Sequence, residues 1–403
     1  MKTVKLKDLV DFSNGYAFKS TDYVEYSNTV NCRMSNIRPD GSFDVEYNIK
    51  YLPDEFAEKY KGFILNDGDI IIAMTDMAGD PKILGVPTLV NTKGYSVLMN
   101  QRVGKLTLKS KDIHPTYLKY YLMSNYARNY FKSFAGGGVQ LNIGQKEILN
   151  IDIKLCDIKE QVEICNVLDK INVLIQQNSK QIEKLDQLIK SRFIELFGDP
   201  MANPMGWDRF NISAVVGGKV SNGFFAKRDD YCDDGNVKVL GVAHVVNRMY
   251  SNIEDLPTTN GTETDVAKYS VKYGDMLFCR SSLVASGIGK ASIVPQGTPN
   301  NVLFECHVIR LPLDLDKCVP EFMQVLSTTD YFRNQVIAQS KTATMTTIGQ
   351  EGILKTDIIL PPMEIQKKFL AFVEQTDKSK LAVQQSLEKL ETLKKSLMQQ
   401  YFG

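Results

Sequence analysis

"IGQKEILNIDIKLCDIKEQ", residues Ile143–Gln161, returns 205 positions later as "IGQEGILKTDIILPPMEIQ", residues Ile348–Gln366. Ile-Gly-Gln, Ile-Leu, Asp-Ile, Leu and the final Gln all recur in place. A match of this length at one offset asks whether the whole chain is built twice, and that has to be settled before any motif is weighed. Outward from it the register holds: Glu183-Lys184-Leu185 falls on Glu388-Lys389-Leu390 and Phe197-Gly198 on Phe402-Gly403. Toward the N-terminus Val103 meets Val308, Leu106 meets Leu311, Tyr126 meets Tyr331 and Arg128-Asn129 meets Arg333-Asn334. The offset widens to 206 at Gly68-Asp69 and Gly274-Asp275, each followed by an apolar strand. It reaches 208 where "FSNGYAFKS" (Phe12–Ser20) lies on "VSNGFFAKR" (Val220–Arg228) and Asp22-Tyr23 on Asp230-Tyr231. The 403 residues are a tandem duplication.

The end of each copy reads as one long helix. Positions alternately four and three apart run Ile164, Leu168, Ile171, Ile175, Asn178, Ile182, Leu185, Ile189, Arg192 and Leu196. In the second copy they run Phe369, Val373, Thr376, Lys380, Val383, Leu387, Leu390, Lys394, Leu397 and Tyr401. This is a heptad seam with polar interruptions of the kind that fix register. The outer faces are rich in Gln, Lys and Glu and show no second apolar stripe, so the two helices are expected to pair with each other. Gly198-Asp199-Pro200 ends the first helix, and "NPMGW" turns the chain into the second copy. At about 1.5 Å per residue each helix spans roughly 55 to 60 Å. Antiparallel pairing would give a closed figure with a pseudo-twofold axis, a globular body at each end and the helices as a ruler between them.

The bodies read as mixed α/β. Short apolar strands ("GDIIIAM", "DMLFCR", "GKASIVP", "HVIRLPL") alternate with Gly- and Asn-rich loops, and a helix over 116–131 matches one over 321–334. The expected fold is therefore α+β, with a body at 1–150, a spacer helix at 151–200, a second body at 201–357 and a second helix at 358–403. The two copies agree in their apolar frame and differ in their loops: Met74-Thr75-Asp76 faces Arg280-Ser281-Ser282, and "SFAGGGVQLN" faces "AQSKTATMTT". Like scaffolds with unlike loops suit two binders that read two different things.

Composition narrows the function. The 48 Lys and Arg balance 47 Asp and Glu, a net charge of +1, so any surface for a polyanion must be local. Seven cysteines form no C-x-x-C pair, and the opening residues lack an apolar signal core, which together favour a reducing, cytoplasmic setting. Cys306-His307 has no second ligand pair nearby and reads as ordinary strand, and Gly136-Gly137-Gly138 is not placed to open a helix over phosphates. No P-loop, methyl-donor loop or Asn-Pro-Pro-aromatic motif is present, Asn203-Pro204-Met205 being a linker turn. The chain is expected to be non-catalytic by itself.

The order of these parts, taken twice, resembles the specificity subunit of type I restriction-modification systems. The elements that carry the resemblance are the Asn-Gly-aromatic-Lys segment, the Gly-Asp before a strand, the Ile-Gly-Gln, and the Leu-Pro-Pro-x-x-x-Gln helix start. The first copy departs from the pattern at Cys156-Asp157, where the second keeps Pro361-Pro362. The resemblance implies two target recognition domains that each read half of a bipartite, non-palindromic site on double-stranded DNA. It also implies spacer helices that dock two modification (methyltransferase) subunits, with restriction or translocase subunits completing the complex. S-adenosylmethionine, ATP and Mg would belong to those partners, with no cofactor or metal in this chain. An orphan or decoy scaffold that binds modification subunits without programming cleavage would have a similar sequence.

Arg and Lys suit guanine acceptors or phosphates, Asn and Gln suit adenine, and Ser and Thr suit either. Loop residues of these types are therefore the candidates for DNA contact. In the first copy they are Lys19, Arg33, Asn36, Arg38, Thr75, Arg102 and Gln140. In the second they are Lys227, Arg228, His244, Arg248, Arg280, Ser281, Ser282, Lys341 and Thr344. Tyr16, Phe18, Phe224 and Phe225 are expected to pack within their own bodies. Arg128 and Arg333 are open between a phosphate contact and a repeated salt bridge.

Overall fold

The computed structural model describes residues 2–403. The chain forms two compact units: one runs to Ser179 and includes Gln385–Gly403, the other is Lys180–Gln384. The division cuts both long helices, Ile158–Phe197 and Met363–Phe402, so each unit holds one end of each.

In the first unit an antiparallel sheet runs Val10–Asn14, Val103–Leu108, Ile70–Ala73, Pro87–Leu89. A second sheet runs Tyr51–Leu52, Thr29–Cys32, Ser96–Met99, Ile64–Leu65, its two middle strands parallel. The run "IIIA" does not alternate because both of its faces are covered: Ile70 and Ile72 pack toward Tyr117 and Phe131, Ile71 and Ala73 toward Val30 and Val97. The second unit repeats the arrangement. Ser221–Asn222, Val308–Pro312, Asp275–Cys279 and Ala291–Ile293 form one sheet, and Thr258–Thr259, Val237–Leu240 and Val302–Phe304 the other.

Most of the recurring residues are explained by this frame. Gly15 and Gly223 sit where a Cβ would lie 2.2 Å from the carbonyl oxygens of Asn100 and Phe304, so the Asn-Gly marks a close passage of two backbones. In both copies the aspartate eight residues further on accepts a 2.7 Å hydrogen bond, from the backbone N–H of Lys19 or of Lys227. The glutamine that ends the opening stretch is fully buried in each copy. Gln161 accepts from His114 N–H (2.9 Å) and donates to the carbonyls of Asp112 (2.8 Å) and Cys156 (2.9 Å). Gln366 accepts from Val319 N–H (2.9 Å) and donates to the Pro361 carbonyl (2.7 Å). Each glutamine ties the first turn of a long helix to the loop before a helix of the body.

Two expected boundaries shift. Residues 151–157 are not helix: Asp152–Leu155 pairs with the N-terminal strand Lys2–Lys5, and the helix begins at Ile158. Likewise Asp357–Ile359 pairs with Arg209–Asn211, and the second helix begins at Met363. The single helix expected over 116–131 is two, Pro115–Met123 and Asn125–Phe134, broken at Ser124. Its counterpart is Pro320–Thr328 and Asp330–Ala338, broken at Thr329. In both breaks the hydroxyl caps the second helix, accepting from Ala127 or Phe332 N–H, which satisfies an otherwise orphan donor.

Within each unit the long helices run antiparallel. Asn178 Nδ2 donates to Ser386 Oγ at 3.0 Å, while nearer the body Ile164 and Leu168 share a core with Leu397 and Phe402. In the other unit Lys380 Nζ lies 2.5 Å from Asp186 Oδ1, and Phe197 packs on Phe369 with centroids 5.5 Å apart. Ile171, Ile175, Ile182, Leu185, Ile189, Leu196, Val373, Val383, Leu387, Leu390 and Tyr401 are all buried or half-buried along the same line. The helix ends carry a second apolar stripe, contrary to expectation. Phe193 and Phe197 pack on Phe322, and Phe402 packs on Tyr117 and Tyr121, which seats the helices on the bodies. No helix among the described residues is long and apolar enough to cross a membrane.

Candidate nucleic-acid interface

Each body carries a small ribbon built from the loops in which the copies differ most. In the first unit Thr75–Met77 pairs antiparallel with Gln140–Asn142. In the second, Ser281–Ser282 pairs with Thr346–Thr347, which pairs in turn with Lys341–Thr342. The two ribbons attach to the body in the same way. Met74 N–H donates to the Arg102 carbonyl (3.0 Å) and Arg280 N–H to the His307 carbonyl (2.8 Å). Ile143 N–H donates to the Met74 carbonyl (2.9 Å) and Ile348 N–H to the Arg280 carbonyl (3.0 Å), which is why the recurring Ile-Gly-Gln begins there.

The loop that follows the first ribbon strand is also held alike. Gly85 and Gly289 have positive φ (69° and 62°), and a Cβ on them would lie 2.2 Å from Phe131 and 2.3 Å from Val336. Arg128 donates to the carbonyls of Leu84 and of Lys82 (2.9 Å), and Arg333 donates to that of Ser286 (3.2 Å). Among the described residues neither repeated arginine is half of a salt bridge, and each turns its guanidinium to loop carbonyls. They clamp the base of each ribbon loop. Asp76, 6% exposed, adds a clamp in the first unit by accepting from Met77 (2.8 Å), Ile83 and Leu84 (3.0 Å) N–H groups.

Cross-strand partners share a face. On the first ribbon that puts Gln140 beside Met77 and Asn142 beside Thr75, with Asn142 exposed. Thr75 itself is buried at 3% exposure and spends its hydroxyl on Asn142 Oδ1 (2.9 Å), so it supports the face and does not present a group of its own. On the second ribbon Ser281, Thr347 and Lys341 form one row, joined by His307, whose Nδ1 is 3.2 Å from Ser281 Oγ. Thr344 stands exposed at the hairpin tip, and Arg280 is half-buried with Nη1 on the Cys306 carbonyl (3.0 Å).

The remaining candidates lie elsewhere. Asn36 is buried at 2%, and its amide closes its own loop by donating to the carbonyls of Asp44 (2.9 Å) and Tyr47 (3.1 Å). Its expected surface role is therefore corrected. Arg33 donates to the Asn48 carbonyl and Arg38 lies 3.7 Å over the Tyr47 ring, both bracing that loop. His244 Nδ1 accepts from Gly241 N–H (3.0 Å), and burial together with nearby Arg248 pushes its pKa down. Arg248 lines a cleft against the helix pair. Lys19, Lys227 and Arg228 are exposed beyond the Asn-Gly segment. Phe18 packs at 8% exposure, but Phe225 stands 68% exposed and does not pack in its body as expected.

Asn142 on the first ribbon and His307 beside the second do not stand out by residue type in the sequence. The register contained the signal: 205 positions separate Arg102 from His307 and Asn142 from Thr347.

A cleft between the body and the helix pair recurs at matching positions. In the first unit it holds about 720 Å³ and is lined by Lys119, Tyr120, Asp169, Asn172 and Lys394. In the second it holds about 360 Å³ and is lined by Ile189, Gln324, Val325, Asp377 and Lys380. Burial lowers the pKa of Lys119 and of Lys394. Burial likewise pushes Asp377 up to about 6, with Asp186 and Glu321 adding to the effect and Lys380 opposing it. Among the described residues no group of three or more His, Cys, Asp or Glu is placed to hold a metal ion.

The family model for the type I restriction modification DNA specificity domain matches residues 1–187 and again 204–393, one match to each copy. The chain belongs to that family. Among curated relatives, the type I restriction enzyme MjaVIII specificity subunit of Methanocaldococcus jannaschii is 30% identical over 190 residues. That match covers 47% of this chain and 43% of the relative, so it speaks for less than half of either. The StySPI specificity subunit of Salmonella potsdam is 23% identical over 393 residues, 92% of this chain and 81% of that one. The fold is shared with the crystal structure of the S subunit from M. genitalium, at TM-score 0.58 and 11% identity, over 98% of this chain and 94% of that one. It is shared also with a structure from a study of type I system assembly, at TM-score 0.52 and 15% identity. Both of those matches run over nearly the whole chain, 98% and 100% of it, so the shared fold includes both copies.

Proposed function

We propose that this specificity subunit directs a type I restriction-modification complex by reading the two halves of a bipartite, non-palindromic DNA site, one with each body. The observation that carries the reading is the contrast within each body: the anchoring of the ribbon is repeated almost bond for bond, while the side chains it presents are not. The first ribbon offers amides from Gln140 and Asn142, groups suited to adenine. The second offers hydroxyls, an ammonium and an imidazole from Ser281, Thr347, Lys341 and His307. Unlike donor sets on like scaffolds give unlike half-sites.

The long helices set the gap between half-sites and, with the matching clefts beside them, receive two modification subunits. Methyl transfer, and the S-adenosylmethionine, ATP and Mg of the complex, belong to partner chains in the cytoplasm. Because phosphate attraction supplies most non-specific affinity, a chain of net charge +1 binds DNA weakly until partners enclose the duplex. The test is to co-express the chain with its modification subunit in a methylation-free host and map N6-methyladenine by single-molecule sequencing. One bipartite, non-palindromic motif is expected. A palindromic motif overturns the two-reader assignment, and a stable complex that adds no methylation favours a scaffold without a recognition role.

A further inference from the structure

The ribbon tips carry large apolar side chains in water. Leu283 is 82% exposed and Val284 60%, at the end of the first strand of the second ribbon. The equivalent tip position of the first ribbon is Met77, 51% exposed, with Val139 beside it at 78%. Single exposed apolar residues are common, but one at the same register position in both copies, Met77 and Leu283, each with a second exposed apolar residue nearby and next to strand edges that invite aggregation, is a cost that a binding role offsets. At the second ribbon the surroundings say what kind of partner, whereas the loop of the first carries Asp80 paired with Lys82. Residues 279–290 and 339–350, which build the second ribbon, include Arg280, Lys290 and Lys341 and no carboxylate. The row Ser281, Thr347, Lys341 is made of hydrogen-bonding groups. A polyanion with polar base edges matches that face, and the major groove admits a β-ribbon. The one apolar group that groove displays is the thymine 5-methyl.

We infer that Leu283 and Val284 form an apolar reader that packs on a thymine methyl in one half-site, and that Met77 and Val139 do the same in the other. The inference rests on the half-site reading proposed above and adds a specificity determinant to it. Half-site discrimination then has two components, hydrogen bonding from the ribbon face and methyl contact from its tip.

The test uses the reconstituted complex of the full chain with its modification subunits and duplexes carrying the mapped motif. Each thymine is replaced in turn by uracil, which removes only the methyl group. For the wild type, uracil at one position of a half-site weakens binding about fourfold, the value of burying one methyl-sized group. With Leu283→Ala and Val284→Ala combined, that penalty disappears in one half-site and persists in the other. With Met77→Ala and Val139→Ala the pattern is reversed. Because these side chains stand in solvent, the variants keep the melting behaviour and subunit assembly of the wild type. Equal uracil penalties in wild type and variants overturn the inference while leaving the half-site reading intact. So does a half-site without thymine, or loss of the modification subunit from the tip variants. Absence of any bipartite motif overturns both.

Discussion

The two ribbons differ where the two helix seats agree, and the contrast separates what this chain repeats from what it varies. At the seats Phe402 lies against Tyr117 in one unit as Phe197 lies against Phe322 in the other, with centroids 5.3 Å and 4.8 Å apart. At the ribbons the anchoring repeats, but two strands with amide side chains stand against three with hydroxyls and a lysine. Duplication has preserved the residues that hold positions and released those that face outward. An aromatic in a close-packed core has few tolerable replacements, whereas a side chain in solvent has many.

The seats should show the largest effect. Phe197→Ala and Phe402→Ala each remove a ring that is 0% or 1% exposed, and each should cost about 3–5 kcal/mol in chemical denaturation. Costs that differ by more than about half would break the equivalence of the two seats.

The loop clamps come next. Arg128 makes two hydrogen bonds to loop carbonyls where Arg333 makes one. Arg128→Met should therefore cost roughly 1.5–3 kcal/mol and Arg333→Met less, by the usual worth of charged hydrogen bonds. The accompanying rise in amide exchange should be confined to residues 77–85 in the first case and 282–289 in the second. Spread of exchange through the sheets would show that the arginines support the whole body and not the ribbon loop.

The smallest effect sharpens a difference between the clefts. Asp377 occupies the place of Asn172, which donates to Tyr120 Oη at 2.7 Å. Its pKa is raised to about 6 by burial, so the folded state prefers the protonated acid. The stability this provides is present below its unfolded pKa and is lost as pH rises through the folded value. Asp377→Asn should therefore stabilise the protein by roughly 1–2 kcal/mol at about pH 8, after allowance for solvent screening, and by almost nothing below about pH 4. A gain that does not depend on pH would mean that the charge of Asp377 is not what the fold opposes.

How much was legible in the sequence follows from how each feature is encoded. The duplication, the heptad seam and the mixed α/β bodies were readable because each is a periodicity or a register, which a single chain displays. The breaks at Ser124 and Thr329 were not, since the apolar pattern continues through them and only the cap geometry shows the turn. Asn36 and Thr75 looked like readers because residue type says nothing of burial. His307 and Asn142 carry no local signal, since one follows a cysteine in an apolar stretch and the other ends a glycine-rich run. Only pairing across residues far apart in the chain puts them on the ribbons.

The amino-acid sequence by itself determined that this protein is one design used twice, with long helices expected to pair and with loops free to differ. Those are statements about order and spacing along the chain. Tertiary structure alone decided that the recurring Asn-Gly, Asp, Gln and Arg residues hold the frame, and that a few unmatched residues share one outward face. The reason is physical: hydrogen-bond partners and solvent exposure are properties of groups brought together from distant positions, and no local pattern records them.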